Sequence, residues 1–126
     1  MLYFVMPATR VLFYRERESC PVLDWLDELP KKIQAKAQVR IERLAEMGHE
    51  LHRPEADYLR DEIYELRWRF QSMNYRILYF FHGKEVVVLA HGLTKEDQVP
   101  AQDIELARTR KAAFEADPIG HTYMED

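Results

Sequence analysis

A single cysteine, Cys20, stands in this 126-residue chain. One cysteine makes neither an intramolecular disulfide nor a cysteine-rich zinc site, so a reducing, cytoplasmic setting is the expectation. No apolar run approaches the roughly 20 residues that a membrane span requires, and no membrane partner is expected. The opening Met-Leu-Tyr-Phe-Val is too short, and too uncharged at its start, for a secretory leader. Met6 follows so closely that residues 1–5 read equally as an upstream start or an added remnant, and they carry no weight. A net positive charge is missing too. The net charge is -4, and the stretch Glu115 to Asp126 accounts for it with four acids and no Lys or Arg. The rest of the chain is neutral, without the global positive charge of many nucleic-acid binders, so any anion site must be local. No Gly-rich phosphate loop and no Ser/His/Asp arrangement can be placed. His49-Glu50-Leu51-His52 spaces its histidines three apart just past Gly48, whereas a helical zinc pair needs four. No metal and no cofactor are expected.

What is present suits one domain, residues 1–126, with a real core: 47% of residues are hydrophobic and 32% charged, a soluble balance. Thr9 to Arg15, β-branched and aromatic, reads as a first strand. Ser19-Cys20-Pro21 opens a short helix through Leu29, and Pro30 starts a second in which Ile33, Ala37, Ile41 and Leu44 recur at helical spacing up to a stop at Gly48. The outward face of that second helix is basic, with Lys31, Lys32, Lys36, Arg40 and Arg43. Such a face reads as solvated, or as a contact for RNA or a protein partner. Asp57 to Glu62 forms an acidic approach to a meander of three strands. After Pro100 a last helix carries Ile104, Leu106, Ala107, Ala113 and Phe114, and Pro118 and Gly120 end it in a frayed acidic tail; the ordered core is expected to run from about 9 to 114. The expectation is an α+β fold: a small antiparallel twisted sheet, made of the N-terminal strand plus the meander, with two N-terminal helices and one C-terminal helix.

The meander is the clearest pattern. Tyr64, Leu66, Trp68 and Phe70 alternate with Glu65, Arg67 and Arg69, the period of a half-buried strand. Antiparallel partners sum to a constant, and even-length loops give an odd sum. A two-residue loop at Gln71-Ser72 therefore sets Arg67 directly opposite Arg76. A two-residue loop at Gly83-Lys84 would add His91, giving a row Arg67–Arg76–His91. The reverse face then holds Tyr64, Leu66, Trp68, Phe70, Tyr75, Ile77, Tyr79, Phe81, Val86, Val88 and Ala90 as the core. Facing arginines repel, so stability alone does not select them. Two readings stand open from the residues: an anion held between two guanidinium forks, or surface ion pairs with Glu65 and other acids.

Four segments in order, Glu62-Ile63-Tyr64-Glu65-Leu66-Arg67, Tyr75-Arg76-Ile77-Leu78-Tyr79-Phe80, Leu89-Ala90-His91-Gly92-Leu93-Thr94-Lys95 and Ile104-Glu105-Leu106-Ala107-Arg108, resemble the phage-related, HigB-like branch of the RelE/ParE toxin superfamily. The resemblance runs from the first strand to about Phe114. It implies a RelE-like fold and the toxin of a type II toxin–antitoxin pair. Such a toxin cleaves mRNA in the ribosomal A site without a metal, and a small helix-turn-helix antitoxin silences it. By position, Arg67 and Arg76 would hold and stabilise the phosphate, and Lys95 would supply a further cation. His91 reads as an acid or base near neutrality, or equally as a hydrogen-bonded strand-end histidine. Arg69, Lys36 and Arg40 are the candidates for RNA contact, Arg69 by position on the strand and the other two on the basic helix face.

Relatives are typically rich in Lys and Thr after the His-Gly pair. Here the segment is Thr94-Lys95-Glu96-Asp97-Gln98-Val99-Pro100, with two acids. A second reading of another class follows: a catalytically weak or inactive RelE-fold binding module that pairs with a helix-turn-helix antitoxin or repressor. Codon preference, ribosome dependence, the general base and the oligomeric state are left open by the sequence.

Overall fold

The computed structural model describes residues 9–95 and 97–124, with the side chain of Lys95 outside that description. Strand β1 (Arg10–Phe13) leads through a short loop to α1 (Pro21–Asp27). Pro21 occupies the first helical turn, where its missing N–H costs nothing. Cys20 is the cap residue but makes no side-chain capping bond, and Ser19 lies one residue outside with its backbone paired to Glu16. Helix α2 (Lys31–Met47) buries Ile33, Ala37 and Leu44 along one stripe. It stops at Gly48, whose φ of 54° and 2.4 Å approach of a built Cβ to Thr9 Oγ1 both require glycine. Strands β2 (Ala56–Arg60), β3 (Ile63–Phe70), β4 (Met73–His82) and β5 (Val86–Lys95) follow, then α3 (Ala101–Ala116) begins after Pro100.

The strands form one sheet in the order β1-β5-β4-β3-β2. The α+β class and the three helices agree with the sequence reading, but the sheet differs in two ways. It is mixed rather than antiparallel, because β1 runs parallel to β5, from Arg10 beside Val86 to Phe13 beside Leu89. It also has a fifth strand, β2, in the stretch read as an acidic approach; Ala56, Asp57 and Tyr58 pair with Leu66, Glu65 and Tyr64.

Register in the first hairpin is as expected: Phe70 faces Met73 across Gln71-Ser72, and Arg67 faces Arg76. The second hairpin departs from expectation. Its turn holds three residues, Gly83-Lys84-Glu85, closing His82 onto Val86, and Ala90 bulges between the Tyr79–Leu89 and Leu78–His91 pairs. The odd turn moves Val86 and Val88 to the face opposite the one anticipated, and bulged Ala90 is buried there as well. The bulge then restores the parity, so that Arg76 meets Leu93 and His91 meets Leu78. The expected straight row Arg67–Arg76–His91 is therefore corrected: His91 shares the face but sits one cross-strand pair away.

Both sheet faces are covered. On one, Leu66, Trp68, Ile77, Tyr79, Val87 and Leu89 pack with Val22, Ile33, Ala37 and Leu44 of α1 and α2. On the other, Leu78, Phe80, Val88 and Leu93 pack with Ile104, Ala107 and Phe114 of α3. Each fully buried Leu, Val or Phe contributes about 1.5–3 kcal/mol. Gly92 lets α1 close on β5: a Cβ there would lie 2.2 Å from the Trp25 ring. Beyond α3 the chain folds back onto β1 instead of fraying. Arg15 N–H donates to His121 O, Tyr123 N–H to Phe13 O, and the His121 ring stacks on Tyr14. No helix among the described residues is long and apolar enough to cross a membrane.

A candidate phosphate-binding cleft

Because side chains alternate along a strand, paired residues share a face, and three successive cross-strand rows reach the α3 side near the β3–β4 turn. The first runs Asp57–Glu65–Leu78–His91, the second Arg67–Arg76–Leu93, the third Arg69–Asn74. An acid row thus lies beside an arginine row. Helix α3 starts too late to cover this end of the sheet. The uncovered end forms a cleft of about 770 Å³ with Glu65, Arg67 and Arg76 in its floor. Arg53, Asp57 and Arg60 form one wall, and the segment Asp97-Gln98-Val99 with Ile104 forms the other.

The charges in the cleft are unevenly compensated. Arg53 pairs with Asp57 at 2.8 Å and Arg60 with Asp61. Arg76 is only 7% exposed; its Nε donates to Glu65 Oε1 at 2.9 Å and one terminal nitrogen to the Asp97 carbonyl. Glu65, 5% exposed, thereby separates the two facing arginines and offsets their repulsion. Arg67 has the loosest tie: its carboxylate contact among the described residues is Glu65 Oε1, at 3.8 Å from its Nε. Of the two readings left open by the residues, the ion pair is present for Arg76, while Arg67 keeps most of its donors for another acceptor. In the sequence Glu65 reads as an ordinary salt-bridge acid. Its signal was there, a lone carboxylate amid an aromatic strand and on the same parity as Arg67.

The Arg67 backbone is fixed from both sides. Its N–H donates to Glu55 O at 2.8 Å, and its carbonyl accepts Arg40 Nε at 2.8 Å. Glu55 binds Arg40 at 3.1 Å and takes a two-pronged contact from Arg43 at 3.0 and 3.1 Å. Hydrogen bonding from Arg43 holds the Glu55 carboxyl below the usual carboxylate range. Arg40, expected to contact RNA, is thus occupied in holding the strand that carries Arg67.

The other candidates fall as follows. His91 is not part of the cleft lining; its Nε2 lies 2.7 Å from Asp103 Oδ1 in the first turn of α3, so it ties that helix to β5. Lys95 pairs with Asn74 in the ladder, but its side chain, like all of Glu96, lies outside the described residues. Arg69 Nε donates to Gln71 O across the tight turn. Lys36 Nζ stands 5.6 Å from the Phe70 ring centroid. Tyr64 stacks on Tyr79 in the aromatic core, as its parity implied. No group of three or more His, Cys, Asp or Glu among the described residues is placed to hold a metal ion.

Residues 24–112 match the phage-derived Gp49-like protein family (DUF891), a span that holds every cleft residue and well over half of the chain. The chain belongs to this family. Gp49-like proteins are a toxin–antitoxin-associated group of the RelE/HigB type, so the cleft belongs to a toxin-family protein for which an antitoxin is the implied partner. No curated protein matched the sequence.

Proposed function

We propose that this Gp49-like chain is the toxin of a type II toxin–antitoxin pair and a metal-independent endoribonuclease that cuts mRNA in the ribosomal A site. One observation carries the reading: two arginines face each other across adjacent strands, with a buried carboxylate between them, in an open cleft. Arg67 and Arg76 take the non-bridging oxygens of the scissile phosphate, as always-charged planar forks suited to it. As the ribose 2′-oxygen attacks phosphorus, charge grows on those oxygens and the guanidinium donors bind more tightly than before, which lowers the barrier. Glu65 accepts the 2′-hydroxyl proton. The bond to the 5′-oxygen breaks, that oxygen takes a proton from water, and a 2′,3′-cyclic phosphate remains. In this scheme Lys95 lends a further cation from the end of β5, and Arg40 acts as a positioning residue through Arg67. The partner that silences the toxin is a helix-turn-helix antitoxin.

Induced expression of the wild-type chain should arrest growth and produce cleaved translated mRNA. Arg67→Ala should lower cleavage about 10²–10³-fold, the usual effect of removing one transition-state donor. A wild-type chain that neither arrests growth nor cuts mRNA would sink the nuclease reading. A second reading has its own observation: Arg76 is already engaged by Glu65 and the Asp97 carbonyl. A non-catalytic module that binds its antitoxin tightly and leaves RNA intact is the outcome that reading expects.

A further inference from the structure

The cleft does not end at Arg67. Two notches, of about 260 and 200 Å³, continue from it around the outer side of β3 to α2. The first shares Arg67 and Arg76 with the cleft, and the second shares Arg40, Trp68 and Arg69 with the first and adds Lys36 and Val39. Their charge differs from that of the cleft. Asp57, Glu65 and Asp97 line the cleft, whereas neither notch is lined by a carboxylate among the described residues. Arg40 is neutralised from behind by Glu55, but Lys36 and Arg69 have no carboxylate partner among the described residues. Trp68 lines both notches and is 4% exposed, and its indole Nε1 is buried with no hydrogen-bond partner among the described residues. The trough is thus flanked by cations and, among the described residues, free of carboxylates.

We propose that this trough is a second phosphate subsite. It receives the RNA chain as it leaves the Arg67/Arg76 cleft, with Lys36 and Arg69 neutralising a backbone phosphate beside the Trp68 ring. The inference rests on the nuclease reading and adds a direction to it: the chain leaves over β3 toward α2, away from the acids of β2. Of the basic α2 face Lys36 is the cation that lines the trough without a carboxylate partner among the described residues, whereas Arg40 and Arg43 are held by Glu55.

The test uses the full chain and uncleavable 2′-O-methyl RNA, a dinucleotide with one phosphate against a hexanucleotide. Wild type should bind the hexanucleotide more tightly. The Lys36→Ala/Arg69→Ala protein should bind the hexanucleotide no better than the dinucleotide, and its slope of log affinity against log salt should be shallower by about 0.7, the value for one phosphate charge no longer neutralised. In nitrogen-15 spectra the Trp68 indole resonance, assigned by its loss in Trp68→Phe, should move with the hexanucleotide and stay still with the dinucleotide. If wild type binds and cuts RNA while the double variant and the indole resonance show no difference, the subsite is overturned and the nuclease reading stands. If wild type binds no RNA at all, both fall together. A double variant that loses only antitoxin affinity also overturns the proposal, because the trough then belongs to a protein partner.

Discussion

On the sheet face beneath α3, the two ends of the same strands are built by opposite rules. Toward the β4–β5 turn, Leu78, Phe80, Val88 and Ala90 are wholly buried under α3 with Phe114 and Ala107. Toward the β3–β4 turn, the same parity presents Glu65, Arg67 and Arg76 to an open cleft. β3 and β4 keep one unbroken register along the way; what changes is the cover. Helix α3 begins only at Ala101, so the last cross-strand rows are left without an apolar roof and take charged residues instead. Dry packing is stable wherever it can be completed, so a buried ion pair where packing stops points to function over stability, since such pairs seldom out-stabilise apolar replacements.

The comparison is broken most severely in the dry half. Phe80→Ala should lower unfolding free energy by about 3–5 kcal/mol in urea denaturation, because the ring is lost from a site that cannot fully collapse. In the polar half, Glu65→Ala should cost about 3 kcal/mol, since it strands Arg76 in a nearly dry position with only the Asp97 carbonyl for company. The sharper variant replaces both partners. Glu65→Leu/Arg76→Met should regain most of that stability while cleavage stays absent; a double variant as unstable as the single one would show the pair to be structural. Arg40→Ala removes one bond to the Arg67 carbonyl and should cost about 1 kcal/mol in the same denaturation experiment. Its cleavage rate should fall while its RNA affinity and salt slope hold, the reverse of what loss of a phosphate ligand would do.

The smallest effect is in acid. The folded-state pKa of Glu55 lies below its unfolded value, because Arg43 binds the ionised form. Its contribution is therefore complete above the ordinary carboxylate range and disappears as pH falls through the depressed folded value. Glu55→Gln should flatten the stability–pH curve of the wild type over that acid window and leave it little changed near neutrality.

The polar half was legible in the sequence to the extent that parity governs it. An even turn at Gln71-Ser72 was enough to set Arg67 against Arg76, and alternation separated them from Leu66 and Trp68. Three features escaped for physical reasons. Strand β2 has Asp57 facing the cleft between Ala56 and Tyr58, so its alternation reads as a charged approach. The parallel pairing of β1 with β5 joins segments more than 70 residues apart in the chain, and no local pattern records it. Glu65 and His91 owe their surroundings to neighbours on other elements, Arg76 and Asp103, which only the fold brings within reach.

The bulge at Ala90 sets the phase of β5. The three-residue turn throws the strand half a period out of step, and one unpaired residue brings it back before it reaches the cleft. Turn and site are thereby uncoupled: the first half of β5 answers to α3 and the turn, the second half to the arginine row. Drawing Ala90 into the ladder opposite Leu78 would carry the out-of-step register through to the end. His91 and Leu93 would then rotate to the α1 side and Gly92 would turn its bare backbone away from Trp25, so smoothing one bulge would cost the protein the α3 tether and the α1 contact together.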